Sequence, residues 1–249
     1  MGGMTTTLSA VDYKALHGPM TERLAALGRS LSPQQWLAPS LCEGWRVCDV
    51  YGHMTYGGVT PMYKVLPILL FKHRGSLNRG SAVESVRYAD IYPQRVVMAE
   101  FVRSSHHPVG IGKVVKPSEL HMDHIVHEMD IRRPLGLASQ WNDGDLTAAL
   151  DAAVRTKTPL IAPAKAARDL RLVATDLDWS HGPESAAEVR GPAESLLLAL
   201  CGRPAGLTRS AGRWCCRAEG SNQPLTLAGI ADTSTRASLK LAPPARSDR

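Results

Sequence analysis

The sequence predicts an α+β fold, a helical first part followed by a smaller α/β part. Three observations carry the prediction. Apolar side chains recur at helical spacing in four separated segments before residue 135. From Asp143 the texture changes, and short strand-like runs such as LRLVAT at 170–175 alternate with helix-like ones. Pro and Gly punctuate the boundaries, at Pro39 and Gly44, at Pro117, at Pro134 and Gly136, and at Gly191 and Pro192.

The first helix is expected over residues 8–28, where Leu16, Met20, Leu24 and Leu27 form a stripe with Glu22 and Arg23 outside it. Residues 30–44 read as a connector, with Ser32 and Pro33 suited to open a short helical turn. A second helix is expected from residues 45–47 onward through Val50, Tyr51, His53 and Met54. Gly57 and Gly58 weaken or bend its end. The pattern resumes after Pro61 at Met62, Val65 and Leu69, and residues 73–90, rich in Gly, Ser and Arg, read as a mobile connection. The third helix is expected over residues 92–102. The fourth follows Pro117 and Ser118, carries Leu120, Ile125, Val126, Met129 and Ile131, and stops at Pro134.

Beyond it, residues 146–154 read as an Ala-rich helix, and residues 170–175 and 187–190 as strands separated by a turn at Asp178 and Trp179. PAESLLLALCGR reads as a helix opened by Pro192 and closed by Gly202. The boundaries drawn are 8–138 for a helical bundle, 143–209 for a small α/β domain and 210–249 for a tail. The tail has little sustained period, and is expected to be a divergent or frame-shifted end, partly disordered.

Composition narrows the functional classes. The chain has 249 residues and a net charge of +6, but its cations are scattered. Lys72-His73-Arg74 and Arg132-Arg133 are too short for a nucleic-acid stripe and have no interleaved aromatics, so no nucleic-acid partner is expected. An anionic small molecule suits the charge. The five cysteines include no CxxC pair and read as reduced thiols. The N-terminus lacks the pattern of a secretory leader. The apolar run at 65–71 is interrupted by Pro67 and too short to span a bilayer. The expectation is a cytoplasmic protein, monomer or homodimer, with no membrane partner.

The segment HMDHIVHEMDIRRPLG at 121–136 is where chemistry concentrates. Asp123 and His127 are four apart and share one helix face, so a carboxylate and an imidazole can bind one divalent metal there. His53, on an otherwise apolar helix, is the candidate third ligand. Three ligands leave a coordination position open, as in catalytic rather than structural sites. The plainer alternatives are an exposed Asp–His pair and a hydrogen-bonded histidine. His121, His124, Glu128 and Asp130 crowd the same helix, at a desolvation cost that something must offset. Asp49 is placed to orient the other ring nitrogen of His53. Asp130 is placed to do so for His127, an ion pair with Arg133 being its alternative. Arg132 and Arg133 either complement the helix C-terminus or bind a substrate carboxylate. Cys42 and Cys48 read as packing residues.

LSPQQWLAPSLCEGWRVCDVYGHM resembles the first signature of the mycothiol-dependent maleylpyruvate isomerase family, within the DinB-like superfamily. DHIVHEMDIRRPLG resembles its second signature, and RLVATDLDWSHGPESAAEVRGPAESLLLALCGRPAGL its C-terminal region. The resemblance spans roughly residues 12–209; the tail departs from it. It implies a DinB-like, up-down-down-up four-helix bundle holding a divalent metal, typically zinc, through a His of the second helix and an acid-xxx-His pair. His53 and His127 match two ligands, and Asp123 stands where the characterised isomerase has glutamate. It also implies mycothiol, the small thiol of actinobacteria, as cosubstrate, its thiolate adding to a conjugated double bond. The same site would serve thiol transfer to an electrophile in detoxification, or metal binding in a stress-related bundle without turnover. No catalytic residue beyond the ligands is assigned.

Overall fold

The computed structural model describes residues 11–157 and 163–203. The expectations for residues 8–10, 204–209 and the tail at 210–249 lie outside the described residues. Helix α1 (Tyr13–Ser30) starts where the Asp12 carboxylate accepts from the amides of Lys14 and Ala15. Its stripe of Met20, Leu24 and Leu27 is buried. The short α2 (Pro33–Trp36) opens on a capping box made by Ser32 and Gln35. It delivers Trp36 onto Tyr51, ring centroids 5.2 Å apart, in α3 (Val47–Val59).

Helix α3 runs through Gly57 and Gly58 without interruption. The reason is packing: a Cβ on Gly58 would stand 2.9 Å from Ser104 in α6 (Gln94–His106), so glycine there permits close approach of two helices. After Pro61 come α4 (Met62–Pro67) and a π-helical turn at Ile68–Lys72.

Residues 73–90 correct the sequence reading, because most of them form helix α5 (Leu77–Ile91). Its sequence is poor in large apolar residues because it lies close against α3. A Cβ on Gly52 would stand 2.5 Å from the Ser85 carbonyl oxygen and 3.2 Å from Ala89. Small residues at a tight helix crossing give no amphipathic stripe to read.

Helix α7 (Pro117–Arg132) begins on a proline at its first turn and carries the ionisable cluster. Helix α1 packs on α6 and α7, and α3 packs on the same two helices, closing a ring of four. A single apolar core fills it, from Met20 and Leu24 through Val50, Tyr51 and Phe101 to Met122, Ile125 and Met129.

The core continues into α8 (Asp143–Ala153), which packs on α7, and from there to the C-terminal elements. A short α9 (Pro163–Ala166) precedes a three-stranded sheet. Strand β1 (Leu170–Ala174) pairs antiparallel with β2 (Ser180–His181) and parallel with β3 (Ala187–Gly191), in the order β2-β1-β3. Gly182, with φ +91, makes the tight exit from β2, where a side chain would collide with the Leu170 carbonyl. Helix α10 (Ala193–Leu200) covers β1 and β3 and touches α8. The molecule is thus helix-rich with one small sheet, an α+β fold. Among the described residues no helix is long and apolar enough to cross a membrane.

Candidate metal centre

Helices α3 and α7 bring His53 beside Asp123 and His127. One donor atom from each lies within 4.8 Å of the others. Asp123 Oδ1 and His127 Nε2 are 3.5 Å apart, and the rings of His53 and His127 meet edge to face with centroids 4.9 Å apart. Donors each about 2 Å from a tetrahedral ion stand roughly 3.4 Å from one another, a spacing that Asp123 and His127 meet and that His53 approaches. Two imidazoles and a carboxylate also match the ligand preference of zinc. The Asp123 side chain keeps 31% of its exposure while His127 keeps 6%, so the cluster is reached from the Asp123 side.

Each imidazole is aimed through its other nitrogen. His127 Nδ1–H donates to Asp130 Oδ2 at 2.9 Å, as the sequence reading placed Asp130. The cation paired with Asp130 is not Arg133 but Arg203, whose Nη2 and Nε donate to its two oxygens at 2.8 and 3.1 Å. For His53 the expected partner, Asp49, is corrected. Ser81 Oγ lies 3.1 Å from His53 Nδ1, with Ser85 Oγ at 3.5 Å. Asp49 is claimed by its own helix end: it accepts from the Arg46 amide at 2.8 Å and from the Arg46 guanidinium at 2.9 and 2.6 Å. A hydrogen bond from Nδ1 to Ser81 leaves Nε2 as the free donor of His53.

Burial alone would lower His127, but the Asp123 charge and hydrogen bonds involving Asp123, Asp130 and Cys42 hold it well above its ordinary value. Burial alone would raise Asp123; the charge and hydrogen bond of His127, with His53 and His124 behind, hold it below the usual carboxylate range. Asp130 is depressed likewise, burial being outweighed by Arg203 and His127. His53 is pushed down to about 4, by burial first and then by the charge of His127. The resulting order is anion, cation, anion, cation: Asp123, His127, Asp130, Arg203. A divalent ion replacing the His127 proton would keep that alternation.

Arg132 and Arg133 do not reach the cluster. Buried Arg132 donates to Glu128 at 2.7 Å, to the Ala138 carbonyl and to Gln140, and Arg133 pairs with Glu194 at 2.8 Å. Both side chains are held by partners within the fold. Glu128 also takes Arg23 at 2.9 Å, and His121 Nε2 meets the Asp145 carbonyl at 3.0 Å. The crowding of charge on α7 is therefore met in good part by ion pairs, while Asp123 and His127 face His53. His124 points away, stacked against His17 at 6.2 Å and pushed down to about 3 by burial.

Cys42, read as a packing residue, belongs to the site. Its Sγ donates to Asp130 Oδ2 at 3.0 Å and accepts from Arg203 Nη2 at 3.4 Å. Cys42, His127 and Asp130 form a second close group of metal-binding types, but Arg203 beside it supplies the positive charge there. Arg203 itself was not singled out, since GRP after a helix has no spacing that marks it. A cleft of about 450 Å³ lined by Tyr56, Tyr88, Tyr92, Lys64 and Arg87 among others contains none of the three cluster residues.

The family model of the mycothiol maleylpyruvate isomerase N-terminal domain matches residues 17–59. Over those residues the chain is similar to that family. The match runs from α1 to the end of α3 and so includes His53, whereas Asp123 and His127 lie beyond it. No curated protein and no solved structure matches the chain.

Proposed function

We propose that the protein is a metal-dependent, mycothiol-using enzyme of the maleylpyruvate isomerase type, acting on a small electrophile. The observation that carries the reading is the convergence of His53, Asp123 and His127 donor atoms within 4.8 Å, His53 coming from the α3 on which the family match ends. In this reading α1, α3, α6 and α7 are the DinB-like up-down-down-up bundle of residues 8–138. Residues 143–209 are a small α/β domain, and the protein works in the cytoplasm.

His53, Asp123 and His127 would hold a divalent metal, zinc by the character of the donor set. When bound, such an ion supplies Lewis acidity that converts a coordinated thiol to its thiolate at neutral pH. The chain's own residues do the rest. Ser81 and Asp130 fix the two ring planes, and Arg203 fixes Asp130. Asp123, more exposed than His127, marks the side from which thiol and electrophile enter. Its shorter side chain, against the family's glutamate, draws the ligand oxygen back toward α7 and leaves more room for the incoming thiol. Addition of the thiolate to a conjugated double bond followed by rotation and its departure gives isomerisation; protonation of the adduct, or displacement of a leaving group such as chloride by the thiolate sulfur, gives transfer.

Turnover of maleylpyruvate and of monochlorobimane, each with and without mycothiol, tests the proposal. Thiol-dependent turnover of either substrate that disappears in His53→Ala supports it and distinguishes isomerase from transferase. Absence of any thiol-dependent turnover in zinc-loaded protein contradicts it.

A further inference from the structure

The residues joining α3 to α5 present a surface outside the metal centre. No residue of α4 is buried, and along residues 62–72 Met62 is 46% exposed, Tyr63 73%, Leu66 50%, Leu70 53% and Phe71 86%. Met62, Leu66 and Leu70 are spaced four apart, so they form one row, with Tyr63 beside it. An isolated exposed leucine needs no explanation, but a row of three with Tyr63 and the nearly bare Phe71 beside it marks a contact surface.

Charge selects what covers it. Between Asp49 and Glu84 the sequence contains no Asp or Glu, yet it contains Lys64, Lys72, Arg74 and Arg79. All four are exposed, and among the described residues Lys64, Arg74 and Arg79 make no ion pair; Lys72 reaches only to 3.9 Å of Glu84. A second copy pairing through the same face would set these cations against each other. An anionic surface would not.

We propose that this face docks on an anionic phospholipid bilayer. Met62, Tyr63, Leu66, Leu70 and Phe71 enter the headgroup boundary, and Lys64, Lys72, Arg74 and Arg79 lie on lipid phosphates. The contact is with the membrane surface and involves no span. The proposal departs from the expectation of no membrane partner, which rested on the apolar run at 65–71 being too short to span a bilayer.

The test is sedimentation of the full chain with vesicles of phosphatidylcholine alone or mixed with phosphatidylserine. Binding is expected only to the mixed vesicles, weakening as sodium chloride is raised. The double variant Leu66→Ser, Phe71→Ser is expected to abolish binding, and Lys64→Gln to weaken it about fivefold. Unchanged circular dichroism and metal content show that these exposed substitutions leave the fold intact. Three results would overturn the proposal: no binding to the mixed vesicles, binding untouched by the double variant, or a dimer at sedimentation equilibrium that Phe71→Ser dissociates. The last assigns the face to a second copy.

Discussion

Arg203 grips Asp130 with two hydrogen bonds, Nη2 to Oδ2 at 2.8 Å and Nε to Oδ1 at 3.1 Å, across 73 residues of sequence. Asp130 in turn orients His127. The residue just beyond α10 therefore sets the position of a candidate ligand on α7. Asp130 has no exposure, so the guanidinium also offsets the cost of burying a carboxylate.

Arg203→Ala should act in two ways. Removing one partner of a buried pair is expected to destabilise by about 3 kcal/mol. Zinc affinity should fall by about 10- to 100-fold, as it does when groups orienting a ligand are lost. Urea unfolding and isothermal titration with zinc measure the two effects separately.

Zinc binding should release a proton. His127 is held well above its ordinary value, so at neutral pH it is protonated until an ion takes its place. Titrations in buffers of different ionisation enthalpy should give apparent enthalpies that depend linearly on the buffer. The sign of the stability effect follows. A base whose folded value is raised contributes stability that is full below its unfolded value of about 6.5 and lost as pH rises through the folded value. Metal-free protein should therefore lose Tm as pH is raised through the alkaline side of neutrality, and zinc should flatten the dependence.

At the acid end Asp123 and Asp130 work in the opposite direction. Both are held below their ordinary range, so their contribution is present above about 3.9 and lost as pH falls through the depressed values. His124, pushed down to about 3 by burial, adds to the acid loss because it must charge on unfolding. Tm should decline steeply below about pH 5. Asp130→Asn should make that decline shallower.

Gly52→Ala should separate α5 from α3. The added methyl would stand 2.5 Å from the Ser85 carbonyl, on the turn that carries the serines facing His53. Overpacking of this kind costs about 1–3 kcal/mol. Gly18→Ala, in the same kind of helix but with nothing within 4 Å, should be neutral or stabilising by about 0.5–1 kcal/mol. Paired urea midpoints give the comparison.

The sequence made some of this legible and hid the rest for identifiable reasons. Asp123 and His127 could be paired because helix spacing is local, and α1, α3, α6 and α7 carry stripes or caps that announce them. Helix α5 was invisible, since its contact with α3 is made of Gly52, Ser85 and Ala89 rather than large apolar residues. Losing α5 meant losing Ser81, so Asp49 was given a task that its own helix cap already occupied. Arg203 and Cys42 were missed because they reach Asp130 only through tertiary folding. Arg132 and Arg133 looked free in sequence, but Glu128 and Glu194 hold them.

The proposed function requires that His53, Asp123 and His127 hold one divalent ion. Elemental analysis of purified wild-type protein beside Asp123→Ala and His127→Ala tests it most directly. About one zinc per chain in the wild type, and near none in either variant, is the predicted result. Equal metal content in all three proteins would contradict it.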